Sequence, residues 1–213
     1  ASPNGPGVDI LNNSFETITK DAVYYSLNSN FSVSGNIITG AGSTDAIRIR
    51  AGTIQSGSTI TLEGDQTYLL FNEDESRGEL EIARGATLIV EAGAILKFGK
   101  FWSIRQDGRL DLLGTEEKPI ILTSLKDDSA GGDSNGDGDA STPNPGDWMS
   151  IWIRDTYLED WGAARGIYEN VELRYAGLEP TGSNGTGTPA ILLDGGVFEM
   201  TNVVIRDSLD VGF

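Results

Sequence analysis

Asp133, Asn135, Asp137 and Asp139 stand at every second position of the chain, with Gly136 and Gly138 between the last three. Short side chains that end in oxygen, on a backbone that glycine lets curl, can converge on one hard cation, and calcium accepts roughly six to eight oxygens at flexible geometry. Asp127, Asp128 and Asp147 are near enough in the chain to close such a shell from across the loop. The chemistry expected of this stretch is therefore calcium binding. The candidate ligands are Asp127, Asp128, Asp133, Asn135, Asp137, Asp139 and Asp147, with Asp139 able to offer its backbone carbonyl.

The stretch 133–138, DSNGDG, matches the opening D-x-[DN]-x-[DN]-G of the EF-hand calcium loop. Asn144 stands at the twelfth position, where that loop has Glu, and no helical periodicity flanks it. The segment thus resembles an EF-hand-like loop detached from its helix pair, as in calcium-stabilised extracellular modules. The whole run from Lys126 to Trp148 has no large apolar side chain before its final Trp, so it cannot bury itself in a core. A solvated, acidic, Gly-rich linker is the competing reading, because clusters of Ser, Asn, Asp, Gly and Pro are loops by default.

Such a loop needs a scaffold, and the flanking sequence supplies strands. From Phe31 onward, short β-branched or alternating segments (AIRIR, TITLEG, TYLLF, ELEIA, TLIVEAG, ILKFG, PIILTS) are separated by Gly, Asn and Asp. They repeat. Residues 78–99 laid over the next segment pair Leu80 with Trp102, Ile82 with Ile104, Leu88 with Leu110 and Val90 with Leu112, each offset by 22. Later, Asn170, Val171, Leu173 and Arg174 meet Asn202, Val203, Ile205 and Arg206 at an offset of 32, which implies an insertion in that turn. A period near 22 suits one turn of a parallel β-helix, in which each turn buries its apolar face only by stacking on its neighbours. Asn170 and Asn202 would stack in register if their turns are adjacent, either as a ladder at a bend or as solvated turn residues. Residues 1–30 are less regular, a Pro/Gly-rich linker and a cap-like segment in which Phe15, Ile18, Ala22 and Val23 fit a short helix while Ala22 to Leu27 also fits a strand.

The block from Gly78 to Asp128, followed by GDSNGDG, PGDW and ENVELRYAG, resembles the right-handed parallel β-helix repeats of large secreted or surface-anchored bacterial proteins, the pectate-lyase-like superfold. The resemblance implies an all-β, right-handed parallel β-helix over residues 31–213, with a loop insertion at 126–148, in a secreted or cell-surface setting. It implies activity poorly, since that fold hosts lyases, hydrolases, adhesins and passive stalks.

Composition narrows the chemistry. The 213 residues contain no Cys and no His, so thiolate nucleophiles, Ser-His-Asp triads and the usual zinc, haem and iron-sulfur sites are removed together. With 32 acidic against 15 basic residues the formal charge is -17, which repels nucleic acid and anionic membranes and attracts divalent cations. No apolar run approaches the length of a membrane-spanning helix. The ending DSLDVGF stops within a strand-like pattern, so a β-helix truncated at its C-terminus is expected.

Two functional readings follow. The first is a non-enzymatic extracellular module, an adhesin or surface stalk segment, whose acidic loop binds calcium for stability and whose partner is a polysaccharide or another surface protein. The second is a polysaccharide lyase or hydrolase, or a carbohydrate-binding β-helix, that engages acidic sugars through calcium and Arg154, Arg174 or Arg206. Glu159 and Asp160 make a poor hydrolytic pair, because adjacent strand residues point to opposite faces. Trp148, Trp152, Tyr157, Trp161, Tyr168 and Tyr175 could form a sugar-stacking row, though large aromatics near strands are more often core packing.

Overall fold

A computed structural model describes residues 8–16, 23–27, 31–39, 46–154, 164–177 and 187–209. They contain strands and no helix. The strands are β1 (Val8–Leu11), β2 (Ser14–Glu16), β3 (Val23–Ser26), β4 (Phe31–Ser34), β5 (Ile37–Thr39), β6 (Ile47–Arg50), β7 (Gly52–Ile54), β8 (Thr59–Leu62), β9 (Thr67–Leu70) and β10 (Gly78–Ile82). They continue as β11 (Thr87–Glu91), β12 (Ile95–Phe98), β13 (Trp102–Gln106), β14 (Arg109–Leu113), β15 (Ile120–Ser124), β16 (Ile151–Arg154), β17 (Arg165–Arg174), β18 (Ile191–Asp194) and β19 (Val197–Arg206).

Every recorded pairing is parallel and joins a strand to its counterpart one turn away, so the chain coils into a parallel β-helix. The first column stacks β7, β10, β13, β16 and β18. The second stacks β8, β11, β14 and the first halves of β17 and β19, and the third runs β3, β6, β9, β12, β15 and the second halves of β17 and β19. Parallel crossovers are right-handed for nearly all connections of this kind, which gives the coil its expected hand. The ladder starts early, since β1 pairs β4, β2 pairs β5 and β3 pairs β6. Val23 is thus a strand residue, as is Phe15, and the helix reading of that stretch gives way. Ile18 and Ala22 lie outside the described residues.

Alternation decides what is inside. In β12, Leu96 and Phe98 point into the core while Ile95 and Lys97 face out; the same parity holds in β9 and β15 through the registers Lys97 with Leu69 and Lys97 with Thr123. The inward side chains form one continuous column, and burying each Leu or Ile contributes about 1.5 to 3 kcal/mol.

The expected register holds in one column and slips in another. Leu88 meets Leu110 and Val90 meets Leu112, at the offset of 22. Leu80, however, pairs with Ile104 and not Trp102, and Ile82 pairs with Gln106 and not Ile104. The cause is turn length: four residues link β10 to β11, while Asp107 and Gly108 alone link β13 to β14. A slip of two keeps every side chain on its own face, so pattern alone did not reveal it. Gly78 fixes the true register, because a Cβ there would lie 2.0 Å from the Trp102 ring.

Candidate metal centre

The acidic run leaves β15 and folds back over the outer face of the third column. Thr123 donates to Asp127 at 2.6 Å, and Lys97 donates to the Gly132 carbonyl and to Ser134 Oγ, both at 2.6 Å. Gly131 sits so close to Thr67 that a Cβ would approach its hydroxyl to 2.7 Å. The loop therefore covers outward residues of three successive strands, and Leu69, Lys97 and Thr123 are fully buried beneath it. It is a packed cover rather than a solvated linker.

Within this cover, carboxylate oxygens of Asp128, Asp133 and Asp137 all lie within 4.8 Å of one another. The turn that gathers them is built by Asp133, whose Oδ1 accepts from the amides of Gly136 (2.8 Å) and Asp137 (3.2 Å) and whose Oδ2 accepts from Gly138 (2.8 Å). Gly136 and Gly138 have φ of 72° and 62°, a region that glycine enters without strain. Asp137 Oδ2 accepts from Asn135 Nδ2 at 2.9 Å and from Ser141 Oγ at 2.6 Å. Asp128 Oδ1 is buried and has no hydrogen-bond partner. A carboxylate oxygen has two lone pairs, so Asp133 Oδ2 keeps one free and the unpartnered oxygen of Asp128 keeps both.

Electrostatics agree with the geometry. Burial, then the negative charge of Asp133, pushes the Asp128 carboxyl above its ordinary value, with Asp137 and Asp139 adding to the push and Lys97 opposing it. Lys97 is lowered to about 8 by burial, against the pull of Asp128, Asp127 and Asp133. An anion-rich site with one buried ammonium beneath it is a place where a divalent cation would relieve repulsion.

The remaining candidates separate. Asn135 lies in the same turn, its amide nitrogen directed to Asp137 and Ser141. Asp139 is exposed on the rim. Asp127 is buried and accepts from Thr123, Ser129 and Arg174, the last at 3.2 Å. Asp147 sits at the loop's exit, bonded to Ser124 Oγ at 2.6 Å and Lys126 Nζ at 2.7 Å. These two carboxylates tie the loop down at its ends, and the other three form its acidic centre.

Lys97, Thr123 and Ser134 were missed by sequence reasoning. A signal was present: TYLLF and AILKF are apolar on both faces, which marks strands covered on both sides.

The arginines and aromatics of the second reading have other occupations. Arg174 is nearly buried between Asp127 and Glu172, and Arg206 is bonded to Glu172 and Asp207, with the Glu172 carboxylate chief among the causes that hold Arg206 above its ordinary value. Arg154 lies 3.4 Å from Asp107 and stacks over Trp152. Trp148 is fully buried, stacked on Phe98 with centroids 4.4 Å apart, and donates to the Arg174 carbonyl at 2.8 Å. Tyr168 is buried too, donating to Gln106 Oε1 at 2.6 Å. Tyr157, Glu159, Asp160 and Trp161 lie outside the described residues. No curated protein and no solved structure matches the chain significantly. Residues 52–138, which span the rungs under the loop and all three aspartates of the acidic centre, match the family model described as pectate-lyase like beta helix domain, in keeping with the parallel β-helix.

Proposed function

We propose that this chain is a non-enzymatic structural module of an extracellular surface, an adhesin or stalk segment whose acidic loop is fastened by calcium. The observation that carries the reading is the convergence of Asp128, Asp133 and Asp137 within 4.8 Å in a loop packed over the β-helix, with one buried Asp128 oxygen left unpartnered. Exposed carboxylates at this spacing repel one another, and a hard cation turns that cost into cohesion. Extracellular modules with few charged ligands bind calcium with Kd of about 0.1 to 1 mM, matched to the calcium outside cells. The lyase alternative requires a basic group able to accept a proton. Among the described residues, Arg154, Arg174 and Arg206 are each already engaged with carboxylates.

Calorimetric titration with calcium tests the reading. One site in that affinity range is expected, weakened at least tenfold in Asp133→Ala and Asp137→Ala. Absence of binding heat in the wild type, or unchanged affinity in both variants, would remove calcium from the account. Release of unsaturated uronide from polygalacturonate by the purified chain would instead favour the lyase.

A further inference from the structure

The turns that follow the third column differ sharply in length. Between β9 and β10 the turn runs from Phe71 to Arg77; between β12 and β13 it is only Gly99, Lys100 and Phe101; after β15 comes the acidic loop. A short turn between two long ones leaves a notch, and a cavity of about 460 Å³ lies there. Small-molecule sites run from roughly 300 to 1,000 Å³.

The floor is Gly99, with the partly exposed side chains of Phe71 and Leu125 beside it. A Cβ on Gly99 would come within 2.5 Å of Phe71 Cβ, so the close approach of the two turns depends on glycine there. Asn72, Glu73 and Glu75 form one wall, and Lys126 and Asp147 form the other. Glu73 is paired with Arg48 at 3.2 Å and Lys126 with Asp147 at 2.7 Å. What remains is one carboxylate, Glu75, and one ammonium, Lys100, neither in an ion pair among the described residues.

The notch is therefore close to neutral, yet it offers strong acceptors and strong donors beside an apolar floor. A charged ligand would meet as much repulsion as attraction in it. A zwitterion would gain little, because Glu75 and Lys100 are exposed and water screens such pairs. A molecule rich in hydroxyl groups, each both donor and acceptor, satisfies both kinds of partner without carrying charge. We propose that this notch binds a short stretch of uncharged glycan. The proposal does not rest on the cation reading, since the loop's ends that form one wall are held by Ser124, Lys126 and Trp148 rather than by the acidic centre.

The test is titration of isotopically labelled protein, with calcium present, by cellotriose, maltotriose and N-acetylated chitotriose. Glycylglycine and trigalacturonate serve as charged comparisons. At least one neutral trisaccharide is expected to bind in the millimolar range, with amide shifts at Asn72, Glu75, Gly99 and Lys126. Glu75→Ala and Lys100→Ala, both at exposed sites, should each weaken it about two- to fivefold, the loss of one solvent-exposed hydrogen bond. Binding only of glycylglycine or trigalacturonate, binding with shifts elsewhere, or no binding by the three neutral sugars overturns the proposal.

Discussion

Asp127 accepts hydrogen bonds from Thr123, Ser129 and Arg174 beneath the loop, whereas its neighbour Asp128 keeps one buried oxygen without a donor. Burial works against the charge of Asp127, but the bonds from Ser129, Thr123 and Arg174 outweigh it and hold the carboxyl below the ordinary 3.8. Asp127→Ala leaves Arg174 short of a buried partner and should cost about 3 kcal/mol in urea unfolding, with or without calcium. Asp128→Asn should do the opposite in chelator, raising the melting temperature by removing a like charge, while weakening calcium binding. A depressed carboxylate contributes stability that is complete above its unfolded value and lost as pH falls through its folded one, so the Asp127 contribution disappears in acid below 3.8. Lys97 gives a slope of the same sign at higher pH, here because the fold penalises its charged form. Its ammonium is held at about 8 in the fold against 10.5 when free, so between these values the unfolded chain binds the extra proton and stability rises with pH. Unfolding in chelator from about pH 8 towards 10, before free tyrosines ionise at 10.0, should show that rise in wild type and not in Lys97→Met. The acidic centre was legible in the sequence because alternating Asp and Asn with glycine is a local pattern. The partnership of Asp127 with Arg174 was not, because 47 residues separate them and only the coil brings them together.

At the level of strands and turns, Leu88 over Leu110 and Val171 over Val203 could be read directly, since stacked turns repeat their inward residues. The slip of Leu80 to Ile104 could not, because it is set by the two-residue turn at Asp107 and Gly108 and by the Trp102 ring lying across Gly78. Gly78→Ala should therefore cost at least about 1 to 3 kcal/mol in equilibrium unfolding, as overpacking against a fixed ring. The Asn ladder is also real: Asn202 donates to Asn170 Oδ1 at 3.1 Å, and Asn170 donates to the Gly114 carbonyl at 3.1 Å. Both asparagines adopt positive φ, 49° and 54°, at the bend inside their strands. Asn170→Ala loses both bonds and strains that bend, at about 1 to 3 kcal/mol, while the more exposed Asn202→Ala should cost clearly less in the same assay.

Across the whole molecule, the coil supplies a continuous apolar interior and the acidic loop supplies an outer cover for three of its rungs. The cover has few apolar side chains of its own. Asp127, Asp147 and Lys97 hold it by hydrogen bonds, and its centre gathers carboxylates whose mutual repulsion works against the packing. Calcium at that centre is the central claim, and thermal unfolding of the metal-stripped protein across a calcium titration, with magnesium as control, tests it most directly. At a hundredfold excess over Kd the account predicts a gain of about 2.7 kcal/mol, or roughly 5 to 10 °C in melting temperature, with little response to magnesium and at most about half that gain in Asp133→Ala or Asp137→Ala. A flat calcium curve, an equal rise with magnesium, or a full rise in both variants would contradict it.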